Sequence, residues 1–230
     1  GPTNETLTGW SFAKGIQFTF PAVALGPGNY LVVAADLATF SAIYPGVTNV
    51  IGKWTGRLSN SHETIELQNA LGGKRNSVAY ADEGDWATRQ RGLPDHNHRG
   101  WLWFAPHDGG GRSLELINPQ MPNSHGQNWA ASLVTNGTPG AVNSQFQTNL
   151  PPIILEVRHL PLIPRSVDPV LITARVLDER GSNVTASLSW RLDGSGPSFS
   201  TVPMLDDGLH NDGVAKDGVF GASLPAQANN

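Results

Sequence analysis

The 230-residue chain has no cysteine. Disulfides, thiolate metal sites and cysteine nucleophiles are therefore excluded. The compartment stays open, because a protein can fold outside the cell without disulfides. Charged residues are scarce, at 15% against an ordinary ~25%. That excludes a coiled coil, a disordered acidic tail and a broad basic face. The formal net charge of −4 gives no electrostatic pull toward nucleic acid or an anionic membrane. No apolar run approaches the roughly 18 residues of a membrane-spanning helix. A Gly-x-Ser-x-Gly nucleophile elbow is missing, as are phosphate-cradling and dinucleotide glycine motifs. The opening Gly1-Pro2-Thr3-Asn4 has no basic segment ahead of an apolar one, so no signal peptide is expected in this stretch. Gly1-Pro2 has the form left by tag cleavage, and the chain reads as a piece of something longer.

What is abundant is turn chemistry, with 26 Gly and 17 Pro. Gly26-Pro27-Gly28, Pro45-Gly46, Gly72-Gly73, Gly109-Gly110-Gly111, Pro139-Gly140 and Gly181-Ser182 punctuate short β-rich runs. Those runs include residues 16–20, 30–34, 64–67 and 113–117, and later 153–157, 170–176, 187–192 and 218–224. Period-2 alternation between regular turns predicts an all-β sandwich architecture. The alternation places Phe18, Phe20, Leu31, Val33, Ile65, Leu67, Leu114 and Leu116 inside the first sandwich, with Trp10 beside them. One short helix is expected over 37–44, capped by Asp36 and ended by Pro45-Gly46. A boundary falls where polar residues 144–149 meet Pro151-Pro152, which stiffens the junction. This divides the chain into 1–146 and 147–230, the second close to the size of an immunoglobulin-like sandwich. Six of the seven Trp lie in the first part. Basic and acidic residues number nine and ten over 1–150, and six and nine over 151–230. Neither part is a charged tail.

Several segments resemble the lamin-tail domain of large bacterial surface and secreted proteins. They are Leu7-Thr8-Gly9-Trp10-Ser11-Phe12, residues 25–33 around Gly28-Asn29-Tyr30, and residues 54–67 from Trp54-Thr55-Gly56 to Glu66-Leu67. Ser113-Leu114-Glu115-Leu116-Ile117-Asn118-Pro119 and Gly137-Thr138-Pro139-Gly140-Ala141-Val142-Asn143 complete the set, over about 5–144. The resemblance implies an immunoglobulin-like β-sandwich without catalytic residues, and an extracellular or cell-surface location. The usual acidic first strand is missing upstream of Gly9-Trp10, and residues 86–112 form a long excursion. The remainder is similar to immunoglobulin-like modules that follow such domains. Two tandem immunoglobulin-like β-sandwiches are therefore expected, the first lacking its N-terminal strand.

The densest candidate for chemistry is the stretch 206–218. It holds four Asp, one Asn and three Gly in thirteen residues. Asp206, Asp207, Asn211, Asp212 and Asp217 are oxygen donors suited to Ca²⁺, although their spacing is not that of an EF-hand. The competing reading is a long connection whose Asx-turns cap its own backbone. Asp95-His96-Asn97-His98 with His107-Asp108 is a second candidate metal set, for Zn²⁺, against the reading of ordinary loop histidines. Trp101 and Trp103 alternate and share a strand face, near Trp86 and with Arg89, Arg91 and Arg99 interleaved. They stack on sugar rings or take guanidinium groups in one reading. In the other, favoured one, they are buried as a small satellite core. Glu63, Glu66, Glu115, Asp82, Glu83 and Asp85 form no marked acid/base pair. Glu66 and Glu115 are expected to face solvent or to pair with Arg57 and Arg112. Asn4, Asn136 and Asn183 open glycosylation triplets.

The expected function is a non-catalytic adhesion or spacer module of a large exported bacterial protein. Its partners would be other domains of the parent, surface protein or polysaccharide, not nucleic acid, with no membrane insertion. The alternative is a carbohydrate-binding accessory module of a polysaccharide-active enzyme, stacking ligand on Trp101 and Trp103.

Overall fold

The computed structural model describes residues 3–96, 98–181, 184–192 and 196–227. It is all-β apart from one short helix and two 3₁₀ turns among the described residues. The chain divides into two compact units, Gly1–Thr148 and Asn149–Asn230.

In the first unit the strands run β1 (Glu5–Thr6), β2 (Ser11–Lys14), β3 (Ile16–Thr19), β4 (Ala24–Leu25), β5 (Val32–Ala34), β6 (Val50–Gly52) and β7 (Thr55–Gly56). They continue as β8 (His62–Gln68), β9 (Lys74–Ala81), β10 (Thr88–Asp95), β11 (His98–Phe104), β12 (Leu114–Leu116) and β13 (Trp129–Ala131). The main sheet has the order β7-β3-β2-β8-β9, and β1–β4, β10–β11 and β12–β13 form separate pairs. β5 and β6 pair in parallel, so a crossover must join them. The helix α1 (Leu37–Ile43) lies in that crossover, with the Asp36 carboxylate accepting from the Thr39 amide at 2.7 Å. That bond satisfies one of the helix's orphan donors.

The apolar face of the main sheet is less deeply buried than the alternation predicts. Leu7, Ile16, Phe20, Ala34 and Met121 are buried, while Ile65, Leu67, Leu114 and Leu116 are half-buried. The reason is a cleft of about 450 Å³ between sheet and β12–β13, lined by Phe12, Ile65, Leu67, Val78, Leu114 and Trp129. Phe12 and Phe18 pack their rings on Phe20 at 5.6 and 5.1 Å.

Two polar clusters close what the short strands leave open. Asn118 and Asn128 are fully buried. The Asn128 side chain accepts from the Asn118 amide at 2.9 Å and donates to the Asn118 carbonyl at 2.9 Å. Glu115, only 4% exposed, accepts from Ser144 Oγ at 2.7 Å, Thr138 Oγ1 at 2.8 Å and the Gln145 amide at 3.1 Å. These bonds tie β12 to residues 138–145.

The second unit contains β14 (Ile153–Leu160), β15 (Val170–Leu177), β16 (Ala186–Trp190), β17 (Ser200–Met204) and β18 (Val219–Leu224). β14-β15-β18 form one sheet and β16-β17 the other. Ala174, Phe220 and Ala222 from the first sheet meet Met204 from the second, with Ile172, Val176, Ala186, Leu188 and Val202 around them. This is a small two-sheet sandwich, joined at one edge by the Leu205–Gly221 bridge.

Phe220→Ala should destabilise the second unit by about 3–5 kcal/mol, read by native-state hydrogen exchange of the β15 and β18 amides. Leu71→Ala, at a side chain 95% exposed, should leave the first unit's stability within about 0.5 kcal/mol. Glu115→Gln should cost the first unit about 1–3 kcal/mol at neutral pH, because the new amide donor faces existing donors. Burial pushes the Glu115 carboxyl up, but the Ser144, Thr138 and Gln145 donors outweigh it and hold the folded pKa below the ordinary value. Its contribution is thus complete above the unfolded carboxyl pKa and disappears as pH falls through the lower folded one. Unfolding free energy measured below about pH 4.5 should fall less steeply in Glu115→Gln than in the parent.

Candidate functional site

The 206–218 loop connects β17 to β18 and is built around its own carboxylates. Asp206 accepts from the amides of Lys216, Asp217 and Gly218 at 2.6, 3.2 and 3.0 Å. Asp212, 1% exposed, accepts from Asp207, Gly208 and His210 at 2.8, 3.1 and 3.1 Å. Asp217 takes Val214 and Val219 at 3.2 and 2.9 Å. Asp207 takes the Leu209 amide at 3.0 Å and His210 Nδ1 at 2.9 Å. Nine backbone amides are thereby satisfied by four side chains. Asn211 sits exposed in the left-handed region at φ 56°, and Gly208, Gly213 and Gly218 supply further positive φ values. The loop lies directly on β18, where a Cβ on Gly221 would meet the His210 carbonyl oxygen at 2.5 Å.

The electrostatics follow from these bonds. Burial pushes the Asp212 carboxyl up, and the surrounding amides more than reverse this, so its pKa lies below the usual carboxylate range. The His210 side chain, then the Leu209 amide, lower that of Asp207. Among the described residues, no three His, Asp or Glu side chains gather where they would hold one metal ion. The loop residues nominated as Ca²⁺ ligands are together in space, but their oxygens are aimed at backbone amides.

The histidine set is dispersed. His96 pairs with Asp95 at 2.7 Å at the exposed tip of the β10–β11 hairpin, and His98 is exposed on β11. His107 meets the Ala81 carbonyl oxygen at 3.1 Å, whereas Asp108 borders a different groove. Asn97 and the glycosylation candidate Asn183 lie outside the described residues.

The carboxylate pairings differ from the sequence expectation. Glu66 is buried and pairs with Lys14 at 3.3 Å and Gln68 at 2.8 Å, not with Arg57. Glu115 is buried among hydroxyls, and Arg112 instead donates to the Ser132 carbonyl oxygen. Glu115 is covered by residues 138–145, whereas Glu66 is held by its sheet neighbours Lys14 and Gln68. Asp85 accepts from Gln127 at 3.0 Å.

The Trp cluster splits. Trp86 packs on Trp129 with ring centroids 5.8 Å apart, as a satellite core would. Trp101 and Trp103 do not, and their expected burial is corrected. They are 48% and 42% exposed on a two-stranded hairpin that no further strand joins. Alternation establishes a shared face but carries no information on whether a layer covers it. Arg89 lies 4.0 Å from the Trp101 ring centroid and Arg91 5.3 Å. At the hairpin base, Asp82, Glu83 and Asp108 line a groove of about 970 Å³ with Trp103 and Phe104. No local sequence pattern joins these acids to the indoles, and only the fold of β9 and β11 brings them together.

The two-sheet geometry of the second unit is that of an immunoglobulin-like sandwich. Residues 173–229 match the family model of the Conditioned medium factor 2nd Ig-like domain, so this stretch is similar to that domain. The match does not reach residues 5–144, where the lamin-tail resemblance rests on sequence motifs. No curated protein and no solved structure matched the chain.

Asp212→Ala should lower the second unit's stability by about 1–3 kcal/mol, by stranding buried amides. The loss, read from hydrogen exchange of the β15 and β18 amides, should be the same in millimolar Ca²⁺ and in excess chelator. A loss that appears only with Ca²⁺ would make Asp212 a ligand and not a backbone cap.

Proposed function

We propose that the chain is a non-catalytic interaction module of a large exported bacterial protein, and that it meets its partner through the β10–β11 hairpin. The observation that carries this reading is the hairpin itself. It presents Leu93, Trp101, Leu102, Trp103 and Phe104 to solvent along one ribbon, whereas the Phe12–Phe18–Phe20 and Trp86–Trp129 clusters are packed. A ribbon of two strands with such side chains uncovered is the type of surface that marks an interaction site. The immunoglobulin-like match supports a binding role in general terms. The lamin-tail motifs of 5–144 support export and a surface location. The occupied carboxylates of Glu66, Glu115 and Asp212 support the absence of acid/base chemistry. The other domains of the parent protein remain candidate partners beside surface protein and polysaccharide.

The test exchanges residues 88–104 for a short Gly-Ser turn and measures co-sedimentation with bacterial cell-envelope material. The parent chain should pellet with the envelope without releasing reducing ends or peptides from it. The exchanged variant should keep its melting behaviour and lose at least tenfold in pelleted fraction. Undiminished pelleting of the variant, or turnover by the parent, would overturn the reading.

A further inference from the structure

The register of the hairpin sorts its side chains by face. Arg89 stands opposite Trp103 and Arg91 opposite Trp101. Arg99 shares their face because side chains alternate along β11. One side of the ribbon therefore carries three guanidinium groups and two indoles, all exposed. Residues 88–104 hold these three arginines against the single acid Asp95, in a chain of net charge −4. Among the described residues, no carboxylate pairs with Arg89, Arg91 or Arg99. Arg89 instead rests on the Trp101 ring, a contact with the aromatic face that uses none of its N–H groups in an ion pair.

The groove at the base of this face has the opposite character. Asp82, Glu83 and Asp108 edge it against the one cation Arg112, whose guanidinium donates to the Ser132 carbonyl oxygen, and Trp103 and Phe104 form its aromatic wall. Carboxylates beside an indole face suit hydroxyl donors and the apolar C–H face of a sugar ring. Free guanidinium groups suit carboxylates, which they hold bidentately. A ligand satisfying both must be rich in hydroxyls and carry spaced negative charges.

On the reading that this hairpin is the interaction surface, we propose that the Arg89, Arg91, Arg99, Trp101 and Trp103 face binds an acidic polysaccharide of uronate type. A pyranose ring stacks on Trp103, its hydroxyls meet Asp82, Glu83 and Asp108, and uronate carboxylates pair with the arginines. A neutral glucan leaves the guanidinium groups unmatched. A single-stranded DNA backbone has no sugar hydroxyls along its length, so the groove acids would find none of the donors a polysaccharide offers.

The experiment is affinity electrophoresis and calorimetry of the whole chain with polygalacturonate, alginate and hyaluronate, beside dextran and a single-stranded DNA. At least one uronate polymer should retard the chain. Its affinity should fall at least tenfold in Trp103→Ala and in the double variant Arg89→Gln with Arg91→Gln, and less than threefold in Trp103→Phe. Raising salt from 50 to 500 mM should weaken uronate binding in the parent. All variants are compared only where circular dichroism and melting match the parent.

No retardation by any of the three uronate polymers overturns the proposal. So does equal binding to dextran that the arginine variants leave unchanged, or tighter binding to DNA at matched salt. Where uronate binding is absent but envelope pelleting still depends on residues 88–104, only the ligand class is rejected. Pelleting that no longer depends on the hairpin rejects the underlying interaction reading as well.

Discussion

The carboxylate of Glu115 gathers hydrogen bonds from Thr138, Ser144 and the Gln145 amide. With the Asn143 side chain, which donates to the Leu116 carbonyl oxygen at 3.0 Å, it ties β12 to the segment that closes the first unit. Charge burial of this type is tolerable only when every oxygen is matched by a donor. The matching groups here are small hydroxyls and an amide, not an arginine, so the negative charge stays in place without a counter-ion. The same solution recurs at Asn128, which closes the 118–128 segment, and at Asp212 in the second unit. Strands of two or three residues leave many backbone groups outside ladders, and where these are buried side chains must satisfy them. The architecture depends on that requirement as much as on its apolar core.

Where alternation was strong, the strands could be read from the chain. Residues 16–19, 62–68 and 170–177 fold as β3, β8 and β15, and Asp36 caps α1 as its position before the helix implied. β9 was missed because Lys74 to Ala81 carries little apolar signal beyond Val78 and Tyr80. It becomes a strand through its ladder to β8. Glu66 and Glu115 looked solvent-facing because apolar neighbours flank them. Their burial depends on partners far away in sequence, such as Ser144, which no local pattern encodes.

The candidate sites divide along the same line. Asp-Gly and Asn-Asp-Gly steps announced turn chemistry in 206–218, and the carboxylates do serve backbone amides. That Asp212 would be the buried hub was not readable, because it depends on the loop seating against Gly221. The shared face of Trp101 and Trp103 followed from their spacing. Their exposure did not, since it reflects a missing layer above the hairpin. Asp82, Glu83 and Asp108 come beside Trp103 only through tertiary folding.

The hairpin has a further property as a piece of β-structure. A two-stranded ribbon has two outer edges, each with unpaired backbone donors and acceptors that can template strand addition by another chain. Here the ladder is interrupted between Arg91 and Pro94, and Pro94 has no amide to offer at all. Three arginines on one face oppose close stacking of identical copies by like-charge repulsion. The ribbon can therefore keep large aromatic side chains in water without becoming a seed for self-association. Removal of its charges or of Pro94 would convert the same surface into an aggregation hazard.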